Sequence, residues 1–333
     1  MKRVLLLAAA LAFASAGSSL GQTKILNVSY DVSRAFYKEY NPLFGVHWKT
    51  HSGKDIEVEQ SHAGSSKQAR AVVDGLPADV VTFNQDTDID LLVDNGLVTQ
   101  DWKSKLPYGS SPYSSVILFL VRAGNPKGIK DWDDLIKPGV QVIVPNPKTS
   151  GNGRYSYLAA WAFALKKNNG DQAAAKEFVG KLFKNVPVLD TGGRAATTTF
   201  ARNGIGDVLL TFESEVFAIK GDPTVGTNKL DSVVPSLSII ADAPVAVVDK
   251  NVDKARTRAA AEDYLKYLFS PEGQELAAKN FFRPRDPAVL ARHKAEFPEV
   301  PLVSVDETFG GWKKAQAEHF KDGATFDQIY TAN

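Results

Sequence analysis

The stretch from residue 140 to residue 167 constrains the fold of this chain more than any other. It begins with an apolar run, residues 140–144 (VQVIV), which predicts a short buried strand. The loop 146–154 (NPKTSGNGR) follows, and the apolar periodicity of residues 155–167 predicts a helix. A helix start carries unpaired backbone N–H groups and partial positive charge. A strand, a Ser/Gly loop and a helix in succession can therefore bind an anion.

The same pattern occurs twice more. A strand over residues 56–60 leads through SHAGSS to a helix from 67 to 74, and a strand over 186–190 leads through TGGR to a helix from 195 to 202. Short strands that alternate with helices predict an α/β fold with parallel sheets. In such sheets ligands bind at the carboxyl ends of the strands, where all three loops lie.

Other elements bear on the domain organisation. A first strand over residues 24–30 ends at Asp31, which we expect to cap the helix that follows, and Pro42 is expected to break that helix. The apolar run 113–122 predicts a strand long enough to cross between two domains. The length of 333 residues also allows two domains.

Composition excludes several classes of function. The formal net charge of +1 argues against nucleic acid or an anionic membrane surface as the main partner. The chain has no cysteine, which rules out disulfides and thiolate metal sites.

The N-terminus predicts export. Lys2 and Arg3 precede a short apolar run, residues 4–13, and Ala14-Ser15-Ala16 fits the small-residue rule for signal cleavage. The apolar run is too short to span a membrane. We therefore expect residues 1–22 to be a signal peptide and the mature chain to be periplasmic.

The loops offer backbone N–H groups and serine hydroxyls but few formal charges. A protonated anion such as phosphate needs an acceptor for its proton, whereas sulfate accepts at every oxygen. A site of donors alone therefore favours sulfate, because a protonated phosphate would leave an O–H unpaired at a cost of about 1–3 kcal/mol. Asp31 and Asp190 lie beside these loops, and we expect Asp31 to cap a helix and Asp190 to face outward.

Several motifs resemble the periplasmic sulfate- and thiosulfate-binding proteins, the substrate-binding components of ABC importers. They are spread over nearly all of the mature chain: NVSYD (27–31), QSHAGSSKQA (60–69), NPKTSGN (146–152), GIGDVL (204–209), VVDK (247–250), SPEGQ (270–274) and FGGW (309–312).

The resemblance implies an α/β, two-lobed periplasmic-binding-protein fold of type II, in which each lobe is a mainly parallel sheet flanked by helices. It implies one lobe of residues 23–115 with 245–333, a second of 116–244, and a hinge near 112–118 and 241–246. Its implied partners are sulfate or thiosulfate and the membrane permease subunits of an ATP-driven importer. The protein would be a monomer without a cofactor and not an enzyme.

The resemblance also implies the ligand-binding residues. They would be the backbone N–H groups of Asp31, Ser65, Gly151, Asn152 and Gly193, together with the hydroxyl of Ser150. The sulfate-binding branch has a tryptophan, which donates its indole N–H, where this chain has Phe212. The neighbouring motifs FESE (212–215) and DTGGR (190–194) resemble the thiosulfate-binding branch. Phe212 is therefore expected to pack near the ligand and to widen tolerance to thiosulfate, whose larger sulfur needs no strong donor.

Three alternatives remain. The same fold could bind molybdate or phosphate. Tyr155 and Tyr157 could serve iron(III), although their spacing within a helix favours packing and we expect no metal site. An exported sulfur-ester hydrolase would need His62 in the loop 61–66 to work with a nucleophile, and no HExxH or GxSxG motif is present.

Overall fold

A computed structural model describes residues 22–225 and 230–330. The predicted signal peptide lies outside the described residues except for Gln22. No helix within these ranges is both long enough and apolar enough to cross a membrane.

The described residues form a mixed α/β fold. The strands are β1 (Thr23–Tyr30), β2 (Ile56–Ala63), β3 (Val80–Thr82), β4 (Tyr113–Arg122), β5 (Val142–Pro145), β6 (Leu189–Asp190), β7 (Val208–Phe212), β8 (Leu230–Val233), β9 (Ser238–Asp242), β10 (Val245–Val247), β11 (Arg283–Pro284) and β12 (Leu302–Val303). The helices are α1 (Arg34–Ser52), α2 (Ser65–Val73), α3 (Asp86–Asp94), α4 (Pro107–Ser110), α5 (Gly151–Lys167), α6 (Gln172–Lys184), α7 (Gly193–Thr197), α8 (Glu213–Gly221), α9 (Asp249–Ala255), α10 (Arg258–Tyr267), α11 (Pro271–Lys279), α12 (Pro287–Arg292), α13 (Val305–Phe309), α14 (Trp312–Ala315) and α15 (Thr325–Tyr330).

The strands form two sheets. The first has the order β10-β3-β1-β2, and only β10 runs antiparallel to its neighbour. The second has the order β12-β9-β4-β7-β5-β6, with β8 and β11 also paired to β4. We call the part of the molecule built on the first sheet lobe 1 and the part built on the second sheet lobe 2.

The first sheet is mainly parallel, as predicted, whereas the second is mixed. Strand β4 runs antiparallel to β7, β8, β9 and β11. Alternation of strands and helices predicts parallel neighbours only where a crossover helix returns the chain to the same sheet. The chain passes from β3 in the first sheet to β4 in the second, so the alternation of strands and helices does not determine the direction of β4.

Strand β4 contacts both lobes. The hydroxyl of Tyr113 lies 3.0 Å from that of Tyr37 in α1, and residues 117–121 pair with β7. The ring of Phe36, also in α1, packs edge-on against Tyr113 at 5.2 Å. The sequence prediction placed a hinge in this part of the chain, and it remains a prediction.

Two sequence expectations differ from the observed elements. Pro42 does not break α1, which continues from Arg34 to Ser52. The buried rings of Tyr40 and Phe44 on either side of it keep that face of the helix packed. Strands β11 and β12 pair in the second sheet, whereas the predicted lobes assigned residues 245–333 to the first.

Candidate functional site

The six residues predicted to bind a ligand all lie at helix starts. Asp31 begins a short 3-10 helix after β1, Ser65 begins α2, Ser150 is the N-cap of α5, Gly151 and Asn152 are its first residues, and Gly193 begins α7. An N–H group in the first turn of a helix has no acceptor within that helix. The structure therefore places a potential donor at each predicted position.

Contacts between the lobes bring these helix starts together. A Cβ added at Gly64, just before α2, would lie 2.7 Å from the carbonyl oxygen of Thr149 and 3.0 Å from that of Thr191. The hydroxyl of Thr149 in turn donates to the Thr191 carbonyl at 3.0 Å. One loop of lobe 1 thus touches two loops of lobe 2, and the three predicted Ser/Gly loops converge.

The side chain of Asn84 makes a second contact between the lobes. It follows β3 in lobe 1, and a Cβ added at Gly151 would lie 1.9 Å from its Oδ1. A side chain at position 151 would therefore have to displace the side chain of Asn84. Asn84 was not predicted as a site residue; its signal in the sequence is a polar residue directly after the apolar stretch ADVVTF (78–83).

Asp31 makes a third contact between the lobes, and here the sequence expectation is wrong. The carboxylate does not cap its own helix but accepts from the backbone N–H of Arg194 in α7 at 3.0 Å. Burial raises the pKa of the Asp31 carboxyl, while the N–H of Arg194 lowers it. Asp31 of lobe 1 therefore occupies part of the N-terminus of a helix in lobe 2.

Two serine hydroxyls are available as donors. Ser150 Oγ accepts from the N–H of Gly153 at 3.5 Å, which leaves its own hydrogen free to donate. Ser65 Oγ is buried and has no hydrogen-bond partner among the described residues. A buried hydroxyl without a partner is unfavourable, so both groups suit a bound acceptor.

The cations of the loop 146–154 are engaged elsewhere. Lys148 Nζ donates to the carboxylates of Asp322 and Asp327 at 2.8 and 3.0 Å. Arg154 is buried and its Nε donates to the carbonyl of Pro147 at 2.8 Å. Burial lowers the pKa of this guanidinium. The loop therefore presents N–H and hydroxyl donors to a ligand, and its two cations serve the protein itself.

Two carboxylates lie close to the donors. Glu215 is buried, accepts from Thr197 Oγ1 at 2.5 Å and from Thr211 Oγ1 at 3.0 Å, and was not identified from the sequence. Asp190 was expected to face outward, but its Oδ2 is buried without a partner among the described residues. Its backbone carbonyl accepts from the N–H of Asn146 at 2.7 Å, which fixes β6 beside the loop that begins there.

Phe212 ends β7 and is buried. Its ring lies 6.4 Å from that of Tyr30, which precedes Asp31, and 6.0 Å from that of Tyr155 in α5. Both contacts are edge-to-face, so the ring is held between the two lobes.

The tyrosines of α5 pack in the interior. Tyr155 lies edge-on to Trp312 at 5.0 Å, and the Tyr157 hydroxyl bonds to His319 Nδ1 at 3.1 Å. Over the described ranges, no group of three or more acidic or histidine side chains could hold a metal ion. The interpretation of these tyrosines as packing residues is confirmed.

His62 has a structural environment. Its Nε2 lies 2.5 Å from Gln60 Oε1, and its Nδ1 lies 3.4 Å from the carbonyl oxygen of Tyr30. Burial, with a contribution from the charge of Arg34, lowers the pKa of His62 to about 4. A neutral imidazole carries a single N–H, so His62 donates to one of these two acceptors, and both belong to its own sheet.

The protein consists of two α/β lobes, and helix starts from both lobes meet where the lobes contact each other. This is the architecture of the periplasmic binding proteins, a class that binds a small ligand between its two lobes. Comparison with known proteins agrees. The family model described as bacterial extracellular solute-binding protein matches residues 31–283, and the chain belongs to that family.

Individual relatives are similar over nine-tenths of the chain or more. A thiosulfate-binding protein from Pseudomonas aeruginosa is 59% identical, with 100% of both chains covered. A sulfate-binding protein from Salmonella typhimurium is 54% identical, with 92% of both covered. The solved structure of the sulfate-binding protein SubI from Mycobacterium tuberculosis has a TM-score of 0.81 at 33% identity and covers 90% of this chain and 100% of its own. The predicted two-lobed α/β fold is confirmed.

Proposed function

We propose that this protein captures sulfate or thiosulfate between its two lobes and delivers it to an ATP-driven membrane importer. The relatives that support this are named for binding these two anions and align over at least nine-tenths of the chain. Its role is transport and not catalysis, because the family consists of solute-binding proteins.

One observation carries the choice of ligand: helix starts from both lobes converge while the loop cations are bound elsewhere. The ligand-binding residues we propose are the N–H groups of Asp31, Ser65, Gly151, Asn152 and Gly193 and the hydroxyl of Ser150. An oxyanion that carries no proton suits these donors, because each of its oxygens can accept a hydrogen bond. The carboxylate of Asp31 would not accept from the ligand, since it already accepts from Arg194.

The magnitudes are adequate for a transport protein. Each hydrogen bond to a charged group contributes roughly 1.5–3 kcal/mol net. About six such bonds, offset by the dehydration of a dianion, could leave roughly −8 kcal/mol, which corresponds to micromolar affinity. Enclosure between the lobes strengthens each bond because it lowers the local dielectric.

The location and the lobe boundaries are part of the proposal. We place the mature protein in the periplasm, exported by the signal peptide in residues 1–22. Lobe 1 would comprise residues 23–115 with 245–333, and lobe 2 residues 116–244, apart from β11 and β12, which pair in the second sheet.

Calorimetric titration of the mature protein, first dialysed free of anions, tests the proposal. Sulfate, thiosulfate, molybdate and phosphate are titrated near neutral pH. Micromolar or tighter binding of sulfate or thiosulfate, with no heat from phosphate, is the expected result. Binding of phosphate alone would mean that a carboxylate accepts from the ligand, and hydrolysis of a sulfate ester by the purified protein would indicate an enzyme.

A further inference from the structure

The carboxyl group of Glu215 is buried in lobe 2. It lies in the first turn of α8, is 6% exposed, and forms no ion pair within the part of the chain that the structure describes. Its neighbour Glu213 differs, because both of its oxygens accept from the guanidinium of Arg283, at 2.7 and 2.8 Å. A buried carboxylate is costly unless it is paired, so the position of Glu215 requires a reason.

The hydrogen bonds of Glu215 lead to the proposed ligand donors. Its Oε1 accepts from Thr197 in α7, the helix that Gly193 begins. Its Oε2 accepts from Thr211 at 3.0 Å, and the same Thr211 hydroxyl accepts from Asn152 Nδ2 at 2.8 Å. A Cβ added at Gly193 would also lie 3.1 Å from Oε2. One side chain therefore joins the first turn of α5 to the last residue of the short helix α7 and lies beside Gly193, where α7 begins.

We propose that Glu215 is a positioning residue, which as a neutral acid holds the N–H groups of Asn152 and Gly193 in the arrangement that a tetrahedral oxyanion requires. This inference rests on the proposed function. It adds a residue that touches no ligand itself and acts through Thr211 and Thr197.

The charges around the site favour the neutral form once the anion is bound. An ionised Glu215 would repel a bound dianion. The nearby charges of Asp31 and Arg194 have opposite signs, so their effects on the ionisation of Glu215 oppose each other. Burial raises the pKa of Glu215 to about 7, while the hydroxyl of Thr197 lowers it and the charge of Asp31 raises it. The protonated carboxyl still makes both contacts, because one oxygen accepts from Thr211 and the other donates to Thr197.

Glutamine reproduces the neutral acid, since its amide offers one acceptor and one donor side in the same shape. We therefore expect Glu215→Gln to bind sulfate or thiosulfate within about threefold of the native affinity at pH 7. Glu215→Leu keeps most of the volume but neither hydrogen bond, and should weaken binding at least about tenfold. Calorimetry gives both affinities, and circular dichroism with thermal unfolding shows whether each variant is folded.

A second pair of variants tests the link without changing Glu215. Thr211→Val removes the hydroxyl between Glu215 and Asn152 and should weaken binding about tenfold. Thr211→Ser keeps a hydroxyl at this position and should bind with about the native affinity. Thr199→Val is the matched control, because Thr199 is also a buried threonine of lobe 2. Its hydroxyl forms no hydrogen bond with the residues that the structure describes. It should bind as the native protein does.

The outcomes separate this inference from the proposed function. Native affinity in the folded Leu and Val variants overturns the positioning role. Equal weakening in the Gln and Leu variants overturns the neutral acid, because it would mean that the charge is needed. If the native protein binds none of the four anions, both proposals are wrong. If it binds only molybdate or phosphate, the proposed ligand is wrong, and the affinities of the variants for that anion test the positioning role.

Discussion

Gly64 offers a test of whether contact between the lobes produces the affinity. Its backbone, with φ −55° and ψ 136°, is one that alanine adopts without strain. The substitution Gly64→Ala should therefore leave lobe 1 intact. The three atoms nearest to the added methyl group all belong to the carbonyls of Thr149 and Thr191 in lobe 2.

The size of the effect follows from the distances. The new Cβ would lie 2.7 Å from the Thr149 oxygen, whereas ordinary contact begins at 3.4 Å. Both neighbours are backbone atoms, so the lobes must separate by about 0.7 Å. A hydrogen bond of about 2.9 Å stretched to about 3.6 Å is lost. Loss of two such bonds to a charged ligand costs at least about 3 kcal/mol, which is about a hundredfold in affinity.

Calorimetric titration with sulfate and thiosulfate measures this loss, and thermal unfolding without ligand measures the stability. Gly45→Ala is the control, because Gly45 lies within α1 and a Cβ there would meet nothing within 4 Å. The control should bind as the native protein does and be slightly more stable, since alanine favours helix. Native affinity in Gly64→Ala would refute the reasoning, because the site would then form without close contact of the lobes.

Four further substitutions test the site and its surroundings. Phe212→Trp adds an indole donor and should raise the affinity for sulfate relative to thiosulfate about tenfold; an unchanged ratio in competitive titration would show that Phe212 does not set the preference. Ser150→Ala should weaken binding about tenfold or more and lower the free energy of unfolding by about 1 kcal/mol, because a donor and a helix cap are lost together; unchanged binding would remove Ser150 from the site. Lys148→Met should lower the melting temperature but leave anion affinity within about threefold, whereas a large loss of affinity would show that its charge reaches the ligand. Burial lowers the pKa of His319 to about 4, below its ordinary value of 6.5, so the unfolded chain binds a proton that the folded chain excludes. Stability should fall by up to about 3 kcal/mol as the pH decreases from 6.5 to 4, and urea unfolding of His319→Phe should show a smaller decrease; an equal decrease in both proteins would contradict this assignment.

The anion loops were predictable because their signal is local. Strand β4 has the predicted bounds of 113–122, and the Ser/Gly loops after β2, β5 and β6 all lead into helix starts. Hydrophobic periodicity and capping depend on neighbouring residues, which a single sequence displays. The bounds were less accurate where partners outside the segment decide them: β6 contains only Leu189 and Asp190 of the five residues predicted.

The contacts between the lobes were not predictable in this way. Asp31 was interpreted as the cap of its own helix because it stands next to that helix in sequence, whereas the cap it provides is 163 positions away, at Arg194. Asn84 and Glu215 were not identified, because each acts on a loop from a distant part of the chain.

The sequence by itself therefore determined an α/β chain with helix starts suited to an anion, through interactions between residues a few positions apart. Only the tertiary structure decided which carboxylates are engaged, where the loop cations point and how the two lobes meet. These depend on packing between segments that the sequence separates widely. The glycine at position 64 is an example: its local conformation tolerates alanine, but the carbonyls of Thr149 and Thr191 in the opposite lobe lie too close for a side chain.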